Sequence, residues 1–209
     1  MPDIGLLNGK TGIVIAFAHL YELTHNEIYY DYMCELLDDV LEHVHKGLDI
    51  GFMSGLSGIG WGIEYLIQNR FVEGQGIEIC EEIDKRIMAF DPRRIIDLSL
   101  DSGLEGLLHY VLIHIGGSNA ANSQLPFDEM YFSDLYDMVK SLLANNNSPS
   151  LTQLSVTYID WYEKGLIPDY QLNILQFICS SIEEQELLSD LQLGVKDGLS
   201  GLLLKQLLL

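Results

Sequence analysis

Two kinds of apolar segment alternate along the chain. In three of them apolar residues fill nearly every position, over residues 13–18, 59–67 and 107–115. Helices of that pattern are enclosed on several sides. Four other segments carry apolar residues on one stripe and acidic residues on the remainder, over residues 26–46, 77–90, 127–144 and 169–186. We therefore expect an all-α fold in which amphipathic outer helices wrap a layer of buried inner helices.

A glycine-rich block opens each fully apolar segment and recurs at a period in the forties. The clear copies are Gly5-Leu-Leu-Asn-Gly9-Lys-Thr-Gly12, Gly51-Phe-Met-Ser-Gly55-Leu-Ser-Gly58, Ser99-Leu-Asp-Ser-Gly103-Leu-Glu-Gly106 and Gly194-Val-Lys-Asp-Gly198-Leu-Ser-Gly201. Their first residues are 46, 48 and 95 residues apart, and the double interval predicts a worn fifth copy at 146–153. Such a period indicates stacked helical hairpins. We predict a single repeat domain over residues 1–209, with units starting near residues 5, 51, 99, 146 and 194.

The residue before the middle glycine predicts where each inner helix begins. It is a small polar residue in every clear copy, namely Asn8, Ser54, Ser102 and Asp197. Residues of these types accept a backbone N–H at a helix start, so we expect them to be N-caps. Thr24 and Glu27 have the spacing of a capping box, which predicts the start of the first outer helix.

The net charge of the chain limits the kinds of molecule that it is expected to bind. The chain has 31 acidic and 11 basic residues, which gives a net charge of −20. This charge repels nucleic acid and anionic membranes, and it favours a basic peptide or a cation. The alternative interpretation, which we favour, is that the acidic residues only solvate the outward helix faces. No apolar segment is long enough to span a bilayer, and the three cysteines lack a CxxC spacing, so we expect a cytoplasmic protein.

No cofactor site is expected from the sequence. Gly9-Lys-Thr resembles the end of a phosphate-binding loop, but its spacing from Gly5 is one residue short and no strand precedes it.

The repeats resemble a known family. The segments Gly51-Phe-Met-Ser-Gly55-Leu-Ser-Gly58-Ile-Gly-Trp61 and Gly198-Leu-Ser-Gly201-Leu, each opening an apolar helix, are similar to the lanthionine synthetase C-like family. The resemblance implies an α/α toroid of helical hairpins. That toroid has seven hairpins, whereas this chain has five predicted inner and four predicted outer helices. We therefore expect an incomplete arc.

The resemblance also implies a chemistry. The family's enzymes add a cysteine thiol to a dehydrated serine or threonine of a peptide, with zinc held by cysteine and histidine side chains at inner-helix openings. Zinc presents the thiol as a thiolate. None of the five openings here contains a cysteine or a histidine. We therefore expect no metal site, and no zinc-dependent cyclase activity of the chain on its own.

Three residues are candidates for catalysis: Asp101, Asp197 and His109. Some α/α toroids are glycosidases, in which paired carboxylates at inner-helix openings act as acid and base. Asp101 and Asp197 lie in two of the openings, and His109 follows Gly106 by three residues, where it can reach a central cavity. Helix capping by Asp197 and a hydrogen-bonded core position for His109 are the competing interpretations.

The function expected from the resemblance is peptide binding or accessory maturation in a ribosomal peptide pathway such as lantibiotic biosynthesis. The alternatives are a catalytic toroid, either a cyclase completed by another chain or a glycosidase, and a structural scaffold. The chain ends in an apolar helix, residues 199–209, with no capping unit. Terminal repeats normally carry a polar outer face, so we predict a homo-oligomer formed through this helix.

Overall fold

The computed structural model describes residues 3–44, 47–120, 124–143, 148–178 and 193–209. Within these ranges the regular structure is helical and contains no strand, which confirms the expected all-α fold. The α-helices are α1 (Lys10–Thr24), α2 (Glu27–His43), α3 (Leu56–Gln68), α4 (Gly76–Ile79), α5 (Glu81–Met88), α6 (Leu104–Ala120), α7 (Glu129–Leu143), α8 (Pro149–Lys164) and α9 (Leu199–Leu208). Two 3₁₀ helices span Pro92–Arg94 and Ile174–Phe177.

The helices form the two predicted layers. Helices α9, α1, α3, α6 and α8 pack side by side in that order as the inner layer. On the outer side α2 packs against α1, α4 and α5 against α3, and α7 against α8. Because α9 neighbours α1, the last predicted unit lies beside the first. The units are therefore not arranged in simple chain order from one end of the layer to the other.

The inner and outer helices differ in how many of their residues are buried, as the apolar pattern predicts. Every residue of α3 from Leu56 to Leu66 is buried, whereas Met33 and Val40 are the buried residues of α2. A helix enclosed on several faces needs apolar residues all round, and a helix with one covered face needs only a stripe.

The loops that carry the glycine blocks stack on one another through backbone hydrogen bonds. In three of the four blocks the third residue donates its N–H to the carbonyl of its counterpart in the next loop. These hydrogen bonds run from Lys196 to Leu7 at 3.0 Å, from Leu7 to Met53 at 2.9 Å, and from Met53 to Asp101 at 2.9 Å. The repeat is thus built into the backbone contacts between units. These contacts fix where each inner helix starts relative to its neighbour.

The last glycine of each block lies against its own loop. A Cβ atom at Gly12, Gly58, Gly106 or Gly201 would lie 1.9 to 2.3 Å from the carbonyl oxygen six residues earlier. No side chain fits at that distance, because real Cβ atoms do not approach an oxygen below 3.0 Å. Close backbone packing therefore explains why the last residue of all four blocks is a glycine.

The predicted N-caps are wrong. The N-cap residues of α1, α3 and α9 are the middle glycines Gly9, Gly55 and Gly198, and no side chain caps these helices. The N-cap of α2 is Asn26, whose Oδ1 accepts a hydrogen bond from the Ile28 N–H, so the predicted capping box is also wrong. The small polar residues before the middle glycines instead lie in the stacked loops.

Three aspartates spaced by 46 and 48 residues support the loops instead. Asp3, Asp49 and Asp97 each accept, through Oδ1, the backbone N–H two residues onward, at 2.8 to 2.9 Å. Their carbonyl oxygens accept the first N–H of α1, α3 and α6 respectively. An aspartate can bond its own backbone in this way and so form a turn. The aspartate six residues before the middle glycine is therefore part of the repeat signature.

The predicted fourth outer helix is wrong where the structure describes it. After α8, residues 166–173 are non-helical, and the 3₁₀ helix Ile174–Phe177 follows; residues 179–186 lie outside the described part of the chain. We call residues 166–178 the inserted segment. Its two aromatic side chains, Tyr170 and Phe177, pack against residues of the inner layer. Those tertiary contacts outweigh the helical pattern of the sequence.

The predicted worn repeat is partly described. Asn146 and Asn147 lie outside the described residues, but Ser148 is the N-cap of α8, and α8 packs beside α6 in the inner layer.

Helix α9 is covered on one side by the chain itself. Leu204 is fully buried where α9 packs on α1, whereas Leu208 and Leu209 are exposed. The homo-oligomer expected through this helix stays a prediction. Among the described residues no helix is long and apolar enough to cross a membrane.

Candidate functional site

The candidate site lies where the inserted segment meets the inner layer, at His109. This histidine is on α6 and is only 4% exposed. The rings of Phe52 and Phe177 have centroids 5.6 and 5.0 Å from the imidazole centroid. Nδ1 of His109 lies 2.7 Å from Oη of Tyr170. The predicted central histidine is therefore enclosed by aromatic rings and has one hydroxyl partner.

Tyr170 joins this histidine to a tryptophan on the next inner helix. Nε1 of Trp61, on α3, donates a hydrogen bond to Oη of Tyr170 at 2.8 Å. An indole N–H only donates, so the tyrosine hydroxyl is left with its own proton to donate to Nδ1 of His109. In this arrangement the neutral His109 carries its proton on Nε2. One phenol thus satisfies polar groups from α3 and α6 at the same time.

Burial determines the protonation states at this site. It lowers the pKa of His109 to about 4, so the imidazole is neutral at pH 7. It also raises the pKa of Tyr170, so the phenol keeps its proton. The Tyr170 hydroxyl therefore donates a neutral hydrogen bond to His109, and the pair carries no charge. The arrangement suits recognition of a hydroxyl group.

A cavity opens beside this pair. Its volume is about 370 Å³, and it is bounded by α8, His109 and the inserted segment. The lining residues are mostly polar: His109, Ser150, Gln153, Leu154, Thr157, Asp169, Tyr170, Gln171 and Gln176. The amide and hydroxyl groups in this wall can pair with the backbone of a bound peptide.

The predicted carboxylates lie elsewhere, in the stacked loops. Both carboxylate oxygens of Asp101 lie within 2.9 Å of Nζ of Lys196, an ion pair that links the loop of the third glycine block to that of the last. Asp197 is exposed. No hydrogen bond or ion pair between described residues joins His109 to Asp101 or Asp197. A catalytic role for these three residues stays a prediction.

A second polar cluster is fully enclosed between the layers. Nδ1 of His114, on α6, lies 2.6 Å from Oε1 of Glu64 on α3, and Nε2 lies 2.9 Å from Oδ2 of Asp84 on α5. Tyr110 donates to the second oxygen of Asp84 at 2.6 Å, and Gln68 donates to Glu64 at 2.6 Å. The His114 side chain is 0% exposed. The cluster ties two inner helices to one outer helix.

Two glycines make room for the carboxylate of Glu64. A Cβ atom at Gly76 would lie 1.7 Å from Oε1, and one at Gly117 would lie 2.4 Å from Oε2. The backbones of α4 and α6 therefore approach the carboxylate more closely than any side chain permits. This packing holds Glu64 in place beside the imidazole.

The carboxylates keep His114 charged. Burial alone lowers the pKa of His114, but the hydrogen bonds and charges of Asp84 and Glu64 outweigh it and raise the pKa to about 9. Burial raises the pKa of Asp84, against the hydrogen bonds from His114 and Tyr110. Burial also raises the pKa of the Cys80 thiol and of the Tyr110 phenol. At pH 7 the cluster is thus built around an imidazolium.

We expect the free energy of unfolding to fall by about 3 kcal/mol between pH 6.5 and 9. The folded-state pKa of His114 is raised from 6.5 to about 9, so its contribution is complete below pH 6.5 and is lost as the pH rises through 9. Urea denaturation at pH 6.5, 7.5 and 9 measures this slope.

The control for this slope is His114→Gln. The buried Cys80 and Tyr110 weaken the fold as the pH approaches and passes their ordinary values of 9.0 and 10.0, so part of any loss near pH 9 is theirs. The variant keeps those groups and lacks the imidazole. An equal slope in the variant and the wild type would contradict a charged His114.

The chain belongs to the lanthionine synthetase C-like family. The family model described as lanthionine synthetase C-like protein matches residues 1–115, more than half of the chain. These residues hold the first three glycine blocks, both Trp61 and His109, and the whole Glu64–His114–Asp84 cluster. The two-layered all-helical fold is of the α/α toroid type that the family implies. No curated protein and no solved structure matches the chain.

The side chains of the described residues do not fit the zinc ion that the family implies. The described part of the chain contains no group of three His, Cys, Asp or Glu residues placed to hold a metal. Nδ1 of His109 is bonded to Tyr170, and both nitrogens of His114 are bonded to carboxylates. Cys34 and Cys80 lie on outer helices or their connections, and Cys179 is outside the described residues. We therefore derive no chemical step through zinc.

The sequence pattern did not reveal the partners of His109. Tyr170 and Phe177 lie 61 and 68 residues after it, in a segment with a helical apolar stripe. The sequence does contain a signal for the buried cluster around His114. Glu64 is the one acidic residue in the apolar run 59–67, and a charge inside such a run indicates a buried partner.

Proposed function

We propose that this lanthionine synthetase C-like protein binds peptides as an accessory component of ribosomal peptide maturation, such as lantibiotic biosynthesis, in the cytoplasm. The observation that supports this proposal is the inserted segment itself. Its first part, residues 166–173, is non-helical and lies against the inner helices, where Tyr170 is hydrogen-bonded to Trp61 and His109. The adjoining cavity offers further amide and hydroxyl groups. The site thus already accepts a peptide of the chain's own sequence.

Charge favours a basic peptide as the partner. The net charge of −20 attracts cationic segments and speeds their association. Asp169 lines the cavity, so a lysine or arginine side chain has a carboxylate within the site. The proposed role is binding, and it assigns no zinc-dependent step to the chain, because the described donors do not form a zinc site.

The test uses a lysine-rich peptide that carries one cysteine and one dehydroalanine. Fluorescence anisotropy measures its binding to the purified chain, with EDTA or with one equivalent of zinc. Alkylation by N-ethylmaleimide measures its free thiol, since thioether formation moves the thiol proton to the α-carbon and leaves the mass unchanged. We expect equal binding in both conditions and a fully alkylable thiol.

A peptide with glutamate in place of lysine is the matched control, and we expect it to bind at least about 10-fold more weakly. Absence of binding by either peptide would contradict the proposal. Loss of the free thiol, together with stoichiometric bound zinc, would show instead that the chain is a cyclase.

A further inference from the structure

In the part of the chain that the structure describes, only side chains attach the inserted segment to the inner layer. Among the described residues its backbone hydrogen bonds are local, such as Gln176 N–H to the Asn173 carbonyl and Ile178 N–H to the Leu175 carbonyl. The hydrogen bonds that join it to the inner helices both end on the Tyr170 hydroxyl. Releasing the Tyr170 end of the segment therefore disrupts no backbone ladder, while the buried side chains of Ile174, Phe177 and Ile178 hold the other end in the core.

The polar groups under Tyr170 need a partner whether or not this segment is in place. The side chains of Trp61 and His109 are buried, so leaving the indole N–H and the imidazole nitrogen unpaired costs free energy. Phe177 adds a ring against both of them, with centroids 5.1 Å from Trp61 and 5.0 Å from His109. The site is thus matched to an aromatic ring that carries a hydroxyl group.

This position can be reached from solvent. Tyr170 itself forms part of the wall of the 370 Å³ cavity, together with His109, Gln153, Thr157 and Gln176. At the start of the inserted segment, Leu166 and Ile167 are 54% and 71% exposed. An incoming peptide can therefore contact the cavity wall and the edge of the segment before Tyr170 leaves.

We propose that the inserted segment is an internal occupant of a subsite for tyrosine, formed by Trp61 and His109, and that an extended peptide ligand presents its own tyrosine there by displacing Tyr170. This inference rests on the proposed peptide-binding function and deepens it. A ligand whose site is open for only a fraction of the time binds with an affinity reduced by that fraction. The inserted segment therefore sets the apparent affinity for peptide.

The experiment compares Tyr170→Ala with the wild-type chain. The probe is a labelled synthetic peptide with the sequence of residues 166–178, and the control peptide has alanine in place of its tyrosine. Because the variant no longer fills the subsite, we expect it to bind the tyrosine peptide at least about 10-fold more tightly than the wild type does. We also expect it to prefer the tyrosine peptide over the control peptide by at least about 5-fold.

Two further variants keep the test decisive. Tyr170→Phe retains the ring and removes the hydrogen bonds to Trp61 and His109. We therefore expect an affinity between those of the wild type and Tyr170→Ala, even if the alanine variant folds poorly. Tyr32→Ala removes an exposed tyrosine of α2 that stacks on Phe17, and we expect wild-type binding. Far-UV circular dichroism verifies the fold of each variant.

The outcomes separate this inference from the proposed function. Equal affinity of the wild type, Tyr170→Phe and Tyr170→Ala for the tyrosine peptide would overturn the internal occupant and leave peptide binding in place. Equal affinity of Tyr170→Ala for the two peptides would overturn the tyrosine subsite. No binding of any peptide by any variant would overturn both proposals.

Discussion

Replacing His114 with alanine is expected to lower the free energy of unfolding by about 3–5 kcal/mol at pH 7. The imidazolium is the counter-ion of two buried carboxylates, those of Glu64 and Asp84, which are 2% and 4% exposed at the side chain. Removing it leaves two like charges enclosed without a cation. Urea denaturation at pH 7, followed by circular dichroism, measures the loss.

The matched control is His43→Ala. His43 Nδ1 lies 3.6 Å from Asp39, but this pair is partly solvated, with side-chain exposures of 38% and 33%. Exposed ion pairs contribute at most about 1 kcal/mol, so we expect a small change. Losses of similar size in the two variants would mean that the buried cluster has no special stabilising role.

A triple variant separates charge from packing. In His114→Ala combined with Glu64→Gln and Asp84→Asn the cavity remains, but the uncompensated charges are gone. We expect it to recover part of the stability lost by His114→Ala, because neutral amides cost less to bury than unpaired carboxylates. A triple variant less stable than His114→Ala would place the loss in packing.

Sequence reasoning reached the layers of this fold because the signals for them are local. The fully apolar run around Trp61 predicts an enclosed helix, and the stripe around Met33 predicts one with a single covered face. The glycine blocks located the starts of the inner helices to within about two residues. Their N-caps were not predicted, because stacked backbones and Asp49 or its counterparts take the place of side-chain caps.

Less of the candidate site could be predicted from the sequence. His109 was identified from its place on an inner helix, but its partner Tyr170 lies in a segment whose apolar stripe predicts an outer helix. Only the tertiary contacts with Trp61 and Phe52 decide that these residues cross to the inner layer. Likewise, Asp84 shares the buried stripe of α5 with Ile83 and Ile87, a position that an apolar residue would fill in an ordinary amphipathic helix.

Replacing Gly58 with alanine is expected to destabilise the fold by about 3 kcal/mol or more. The added Cβ would lie 1.9 Å from the carbonyl oxygen of Phe52 and 3.0 Å from Cβ of Leu6, in the next loop of the stack. The obstacle is backbone, which cannot rotate away as a side chain does. The loop must therefore move, and α3 with Trp61 moves with it.

The same substitution in α6 provides the control. A Cβ at Gly116 would meet no atom within 4 Å, so Gly116→Ala adds only helix propensity and is expected to stabilise the fold by up to about 1 kcal/mol. Because both changes replace a helical glycine with alanine, their difference isolates the packing against Phe52. Thermal denaturation measures both variants, and the fluorescence of Trp61 in a Trp161→Phe background reports displacement at the site. The expectation would be contradicted if the two variants were similarly stable and the Trp61 emission were unchanged. In that case the stacked loops tolerate a side chain, and the last glycine of the block is not required for packing.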